Sequence, residues 1–337
     1  MRVGIVGATG AVGRELVDVL GRRAFPLTSL RLFASARSAG TKTKTPFGDV
    51  TIEEFSDAAV RDLDLALLAV SGDFAKAHAP KMVEAGVALV DNSSAFRLES
   101  HVPLVVPEVN PGAIGGARLI ANPNCTTAIL VVALEPLRQA FGLRRVIVST
   151  YQAASGAGAE GMAELERESR RVLVEGVKPE HDVFRWPLAF NVIPQIDAFQ
   201  PNGYTREEMK VAWESRKIMG LPDLPISCTA VRIPTMRVHA EAVTIETERP
   251  VTPEAAREVL RHAAGVKVVD DPEAGIYPMP INATGQDDVE AGRIRANPVF
   301  GDCGLDFFLC GDQLLKGAAL NAVQIAERLP MAARKAA

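Results

Sequence analysis

An α/β protein of two domains is what this sequence predicts, on three observations. A glycine-rich turn, Gly7-Ala8-Thr9-Gly10-Ala11-Val12-Gly13, lies between a short apolar strand and a helix-periodic segment. Apolar strand-like runs then alternate with helical patterns as far as residue 121, whereas the chain from Ser227 to Arg249 is strand-rich. Strands alternating with helices imply a parallel sheet covered on both faces. At 337 residues the chain exceeds a typical single core, so two domains are expected.

Val3-Gly4-Ile5-Val6 reads as the first strand, and Leu16, Val17, Val19 and Leu20 mark the face of the helix after the turn. In that context Gly7 permits the tight turn, Gly10 lets a pyrophosphate approach the backbone, and Gly13 lets helix and strand pack closely. The helix N-terminus then attracts the phosphates. The spacing is GxxGxxG rather than GxGxxG, a variant of the same device. After the second strand, Leu30 to Ala34, an NAD-specific protein offers a carboxylate to the ribose. This chain offers Ser35-Ala36-Arg37-Ser38 instead, and hydroxyls with an arginine suit a 2′-phosphate, hence NADP.

Further strands are read at Leu65–Val70, Ala88–Val90 and Leu119–Ala121, with a helix from Asp73 to Ala85. Asp91-Asn92-Ser93-Ser94-Ala95-Phe96-Arg97 is a polar loop at a strand's C-terminal end, where such sheets place ligands. On spacing alone, Arg97 is equally an anion ligand or a solvated arginine. Next comes Ala121-Asn122-Pro123-Asn124-Cys125-Thr126-Thr127, an Asn-Pro turn entering an apolar run that reads as a buried helix ended near Pro136. Unpaired N–H groups at a helix start stabilise a thiolate, so Cys125 is a candidate nucleophile. A small buried hydrophobe is the competing reading, and the stretch by itself leaves the two level.

Beyond it, Val146 to Tyr151 is a strand running into Gln152-Ala153-Ala154-Ser155-Gly156-Ala157-Gly158, where small residues admit a ligand to the backbone. Residues 161–175 form a charged helix with a solvated Glu/Arg face. Residues 176–204, rich in proline and aromatics, are expected to be irregular and to lie at a subunit contact. Thr205 and Glu208 have the capping-box spacing, which accounts for Glu208 but not for Glu207 or Lys210. His239 and Glu241 share one face of a strand, which reads as a hydrogen-bonded surface pair. Thr252-Pro253 opens a helix to about His262, and a last helix spans Asp312 to about Arg328 before a frayed tail.

Composition narrows the class. A 47% hydrophobic, 23% charged chain is a soluble globular protein, and a net charge of −4 without basic tracts argues against nucleic acid. No apolar run approaches the ~20 residues needed to span a bilayer. The start, Met1-Arg2-Val3-Gly4-Ile5-Val6, has no signal-peptide pattern, so the cytoplasm is expected. Four cysteines, Cys125, Cys228, Cys303 and Cys310, lack metal spacing and are read as reduced thiols, the last three in or near the core.

Taken together, these motifs resemble those of the aspartate-β-semialdehyde dehydrogenases, over nearly the whole chain. The carriers are the glycine turn, Asp91 to Arg97, Asn122-Pro123-Asn124-Cys125 and Tyr151-Gln152-Ala153 to Gly158. With them go Glu207 to Lys210, Arg232-Ile233-Pro234 with His239, and Lys316-Gly317-Ala318-Ala319. The resemblance implies a Rossmann domain, residues 1–124 completed by 313–337, and a glyceraldehyde-3-phosphate-dehydrogenase-like catalytic and dimerisation domain of mixed sheet, residues 125–312. It implies Cys125 as the nucleophile that carries an acyl thioester, Asn124 beside it, Gln152 positioning the substrate, and His239 as general acid/base. Arg232 would bind the substrate carboxylate, Glu207 its amino group, and Arg97 and Lys210 phosphate. Gly7, Thr9, Gly10, Ala11, Val12, Arg37, Ser38, Ser155, Gly156 and Gln313 would hold NADP. The implied reaction, in a homodimer, is reversible reduction of aspartyl-β-phosphate to aspartate semialdehyde and phosphate, toward lysine, threonine and methionine. Thr126 stands where the family commonly has serine, and Val238-His239-Ala240 where it often has Gly-His-Ser. N-acetyl-γ-glutamyl-phosphate reductases run the same chemistry, but their Asn-Pro-Gly-Cys-Tyr-Pro-Thr motif does not match this chain.

Overall fold

The structure is a computed structural model and describes residues 1–330. The chain divides into two compact units, Met1–Pro123 with the segment from Ala319 onward, and Asn124–Ala318.

In the first unit, seven strands form one sheet: β1 (Arg2–Val6), β2 (Ser29–Ala34), β3 (Lys42–Thr45), β4 (Gly48–Glu54), β5 (Leu65–Leu68), β6 (Ala88–Asp91) and β7 (Leu119–Ala121). Their order is β3-β4-β2-β1-β5-β6-β7, parallel throughout except for the β3–β4 hairpin. Val3, Ile5, Val6 and all of β5 are buried, as strands covered on both faces require. The chain order switches at β1, between β2 and β5, so the turn entering α1 (Ala11–Arg22) sits at the ligand-binding switch point of an open α/β sheet. Helix α2 (Gly72–Glu84) is capped by Ser71, whose Oγ accepts the Phe74 N–H.

The second unit opens with α3 (Cys125–Phe141), followed by β8 (Arg145–Gln152), α4 (Gly158–Arg170), α5 (Arg206–Met219), β9 (Ile226–Arg232), β10 (His239–Glu246) and α6 (Pro253–Arg261). It closes with β11 (Val266–Val268), the short α7 (Pro280–Ala283), β12 (Val289–Ala296) and β13 (Gly304–Gly311). The sheet runs β11-β12-β13-β10-β8-β9 and is mixed, with β8–β9 and β11–β12 parallel and the other pairs antiparallel. Strand β8 shows the period of two: Val146, Val148, Thr150 and Gln152 are buried, while Ile147 and Tyr151 face out. A wide turn, Leu315–Ala319, leads to α8 (Leu320–Glu327), which belongs to the first unit. There Asn321 donates to the Val105 carbonyl and to Asn122 Oδ1, and Arg23 pairs with Glu327.

Two readings of the sequence are corrected. Helix α3 does not end near Pro136 but continues to Phe141. Proline removes one helical N–H, yet Leu137 is buried, Arg138 forks onto Glu135, and the end is set by Gly142 at φ 72°. The carboxylates of the charged helix are not all solvated. Glu164 accepts the Asp182, Val183 and Phe184 N–H groups, and Glu168 those of Leu188 and Ala189. These two buried side chains satisfy the backbone of the irregular 176–204 segment, which has no ladder of its own. The expected tail after Pro330 lies outside the described residues.

Candidate active site

The sheet register builds the site in the second unit. Gln152 pairs with Arg232, and Tyr151 pairs with Ala240, which brings His239 level with Gln152. Because side chains alternate across a strand, Arg232, Gln152 and His239 form one row on the buried face, one from each of β9, β8 and β10. The next row is Ala230, Thr150, Glu241 and Leu309. Thr150 Oγ1 donates to Gln152 Oε1 at 2.9 Å, and so orients the amide.

Cys125 is the first residue of α3 and is half-buried. Asn124, the N-cap, is tied in three directions: its Oδ1 accepts the Thr127 N–H, its Nδ2 donates to Glu207 Oε1 at 2.9 Å, and its backbone N–H donates to Glu214 at 2.6 Å. Such a cap satisfies donors the helix start leaves unpaired. Glu207 and Glu214 come from one face of α5, seven residues apart. Glu207 also takes Gln152 Nε2 at 3.2 Å and Lys210 Nζ at 3.1 Å. The carboxylate assigned by resemblance to the substrate's amino group is thus the hub joining the Cys125 loop, Gln152 and Lys210. Lys210 Nζ bonds Asp197 as well, at 2.8 Å. The cap spacing at Thr205 is realised on both sides, with Glu208 accepting the Thr205 N–H.

Two glycines are fixed by contact. A Cβ on Gly317 would lie 2.7 Å from Cys125 Cβ, and one on Gly156 would lie 2.6 Å from Arg232 Nη1 and 3.3 Å from His239 Nε2. We expect Gly317→Ala to lower kcat about 100-fold by displacing Cys125, with roughly 1–3 kcal/mol lost in stability. Steady-state rates and thermal melting check this; an unchanged kcat would mean that Cys125 is not held against Gly317.

Electrostatics follow from burial. Burial disfavours the Glu207 carboxylate, but Lys210 and the Asn124 and Gln152 amides outweigh it, and its pKa falls. Burial likewise opposes the Lys210 cation, which Glu207 and Asp197 more than restore. Arg232 is lowered by burial, partly offset by the charges of Glu207 and Cys125. Its Nη1 donates to the Ala153 carbonyl at 2.6 Å, and its guanidinium sits 5.7 Å over the Phe184 ring. Arg232 also lines a pocket of about 250 Å³ with Phe184, Ile193, Ile196 and Asp197.

The histidine reading is corrected. His239 and Glu241 are wholly buried, not a surface pair, and Glu241's oxygens have no hydrogen-bond partner among the described residues. His239 Nδ1 accepts the Ala153 N–H at 3.1 Å. Burial and the Arg232 charge hold its pKa well below the ordinary 6.5. Val238 takes a left-handed φ of 75°, a region that favours glycine. For a β-branched residue that conformation is strained. Gln313 Oε1 accepts the Val238 N–H, and Gln313 Nε2 donates to Ser155 Oγ. Gln313 and Ser155, read as cofactor contacts, are therefore bonded to each other behind the histidine.

In the first unit the glycine turn behaves as its spacing implies. Gly7 has φ 87° and faces the Ala69 carbonyl, and Gly13 packs on Gly7 and Ala8. A Cβ on Gly10 would meet only the Gly7 carbonyl, at 3.4 Å. Thr9 and Gly10 are exposed, Ala11 and Val12 half-buried, and no side chain caps α1. An uncapped helix start with room at Gly10 fits a dinucleotide pyrophosphate. Arg37 is exposed and Ser38 half-buried after β2; the reading missed exposed Glu54, which β4 sets opposite Ala34. Arg97 is buried, donating to the Asn122 and Asn92 carbonyls, both at 2.8 Å.

Residues 2–117 match the family described as "Semialdehyde dehydrogenase, NAD binding domain", and residues 134–316 "Semialdehyde dehydrogenase, dimerisation domain". The aspartate-semialdehyde dehydrogenase of Synechocystis sp. is 48% identical over 330 residues, 98% of this chain and 97% of its own. This chain belongs to the aspartate-semialdehyde dehydrogenase family. Among solved aspartate-semialdehyde dehydrogenases, the Vibrio cholerae form II complexed with ASA aligns at TM-score 0.93 and 40% identity, over 97% of both chains. The Candida albicans structure with NADP aligns at 0.73 and 26%, also over 97% of both. The fold is the one this family implies, a Rossmann domain for a nicotinamide cofactor and a glyceraldehyde-3-phosphate-dehydrogenase-like catalytic domain.

Proposed function

We propose that this protein interconverts aspartyl-β-phosphate and aspartate-β-semialdehyde with NADP through a thioester on Cys125, in the pathway to lysine, threonine and methionine. The observation that carries the reading is the row Arg232–Gln152–His239 beside the Glu207-held loop of Cys125. The Cys125 sulfur attacks the carbonyl carbon, and His239 serves the carbonyl oxygen. A bound nicotinamide would supply the hydride acceptor or donor for that carbon. Arg232 pairs with the substrate's α-carboxylate as a charge-assisted contact. Glu207 is proposed to accept the substrate's amino group through the lone pairs that Asn124, Gln152 and Lys210 leave. Lys210 and Arg97 are the proposed phosphate ligands.

Thr9 to Val12 would receive the pyrophosphate at Gly10 and the α1 start, with Gly7 shaping the turn, and Arg37 and Ser38 the 2′-phosphate. Ser155, Gly156 and Gln313 are proposed to border the nicotinamide. Arg37→Ala should then raise KM for NADP about tenfold, worth ~1.4 kcal/mol, and leave that for NAD unchanged; an equal rise for both would refute the 2′-phosphate role.

The working form is proposed to be a cytoplasmic homodimer. Ile147 and Tyr151 lie exposed on the outer face of the second sheet, and Trp186, Phe190, Val192 and Phe199 are exposed in the 176–204 segment. All four cysteines are free, which suits a reducing compartment. No helix among the described residues is long and apolar enough to cross a membrane. Light scattering of the purified protein tests the dimer. Reduction of NADP in the presence of aspartate semialdehyde and phosphate tests the reaction; activity confined to N-acetylglutamate semialdehyde would overturn it.

A further inference from the structure

We propose that Phe184 and Glu164 are positioning residues for the substrate's α-carboxylate: the Phe184 ring steadies the Arg232 guanidinium, and the buried Glu164 carboxylate seats the ring. This rests on the reading of Arg232 given above and adds two residues that act through it.

Arg232 is 7% exposed and makes no ion pair among the described residues. Its Nη1 donates to the Ala153 carbonyl, and its other guanidinium N–H groups have no protein partner among the described residues. One hydrogen bond leaves a long side chain free to turn about it. The second constraint is Phe184, whose ring centroid lies 5.7 Å from the guanidinium carbon. A ring within about 6 Å attracts a cation, most strongly where water is excluded. A carboxylate in its place would pair with the arginine and compete with the substrate. The ring holds the cation without claiming the N–H fork that a carboxylate ligand needs. Arg232 and Phe184 both line the pocket of about 250 Å³, in which the Asp197 carboxylate is already committed to Lys210.

Phe184 lies in a segment without a ladder, so its ring must be fixed from elsewhere. Glu164, wholly buried on α4, does this. Its Oε1 accepts the Phe184 N–H at 3.0 Å, and its Oε2 accepts those of Asp182 and Val183 at 2.8 and 2.7 Å. Burial opposes the charge on Glu164, but these N–H groups and Arg167 outweigh it, and its pKa is lowered. A Cβ on Gly161 would lie 3.0 Å from Phe184 Cζ, so the same face of α4 meets the tip of the ring. The ring packs against Ala154, Leu165, Leu188, Ala189 and Ile193. Gly161, Glu164 and Leu165 thus build a seat for one ring, and the ring faces the cation. Neither Phe184 nor Glu164 makes or breaks a bond, so the effect falls on substrate binding.

Steady-state rates on two aldehydes test this: aspartate semialdehyde, and 3-aminopropanal, which is the same chain without its carboxylate. Phe184→Leu keeps an apolar side chain and removes the ring. Glu164→Gln keeps the shape and turns one acceptor oxygen into a donor. In each, KM for aspartate semialdehyde should rise about tenfold with kcat within about threefold. The value of kcat/KM for 3-aminopropanal should move less than about twofold, because that substrate does not use Arg232. In an Arg232→Ala background, Phe184→Leu should add less than about a twofold loss on aspartate semialdehyde. Equal losses on the two aldehydes, or a full further loss without the arginine, overturn the proposal, since general loosening of the packing produces both. Unchanged KM in Phe184→Leu, with the variant folded by melting, refutes the ring's role, and unchanged KM in Glu164→Gln refutes the seat. Those outcomes in a protein active on aspartate semialdehyde leave the proposed reaction standing. A wild type that does not turn over aspartate semialdehyde overturns that reaction and this inference with it.

Discussion

Cys125→Ser is expected to lower kcat by at least about 10³-fold, the scale on which removal of an attacking group stops an enzyme of this kind. The substitution replaces one atom at the first position of α3, where Asn124, Glu207 and Glu214 fix the backbone independently of the side chain. Stability should therefore hold within about 1 kcal/mol. A serine hydroxyl is not ionised near neutral pH and needs an adjacent base to attack. Burial and the Arg232 charge hold the His239 pKa well below its ordinary value, which makes the ring a weak base for that hydroxyl. NADP affinity, measured by nucleotide fluorescence, should be unchanged, because the glycine turn, Arg37 and Ser38 belong to the other compact unit. A serine variant that keeps more than about a tenth of the rate would remove Cys125 as the nucleophile.

The parts of this molecule that were legible in its sequence are those whose cause is local. Gly7 and Gly13 announce a strand–turn–helix at residue 7 because each meets a steric demand only glycine satisfies. Thr205 with Glu208, and Thr252 before Pro253, mark helix starts by hydrogen bonds spanning three residues. Illegible parts depend on register between distant strands. Nothing within ten residues of His239 indicates that it stands level with Gln152, or that the Ala153 N–H reaches its Nδ1. Thr150, Glu214 and the Glu207 hub were passed over for the same reason: each acts on a residue far away in the chain. Period-two alternation correctly put His239 and Glu241 on one face, but alternation does not say which face is covered, and the wrong side was read as solvent.

Glu241 itself carries the largest expected effect on stability. It is wholly buried in the row behind the site, between Thr150 on β8 and Leu309 on β13, and burial raises its pKa well above the usual carboxylate range. In the unfolded chain the same group titrates near 4.3. Between those two values the folded protein holds one proton that the unfolded chain has released, so stability falls as pH rises, by about 1.4 kcal/mol per unit. The contribution is complete below about pH 4.3 and is lost on the way up to the folded pKa. His239 acts in the opposite sense: its depressed pKa gives stability present above about 6.5 and lost below it, in any variant that keeps the histidine. Comparing wild type with Glu241→Gln cancels that part and isolates the carboxyl. The amide matches the protonated acid in shape and has no proton to lose. Its melting temperature should therefore lie close to wild type at pH 5 and exceed it by about 5 °C or more at pH 8, with kcat within about threefold at both, since Glu241 stands one row behind the reacting groups. Calorimetric scans at the two pH values decide it: an equal difference at both would mean that Glu241 is ionised in the fold and held by a positive partner, contrary to its unpaired oxygens.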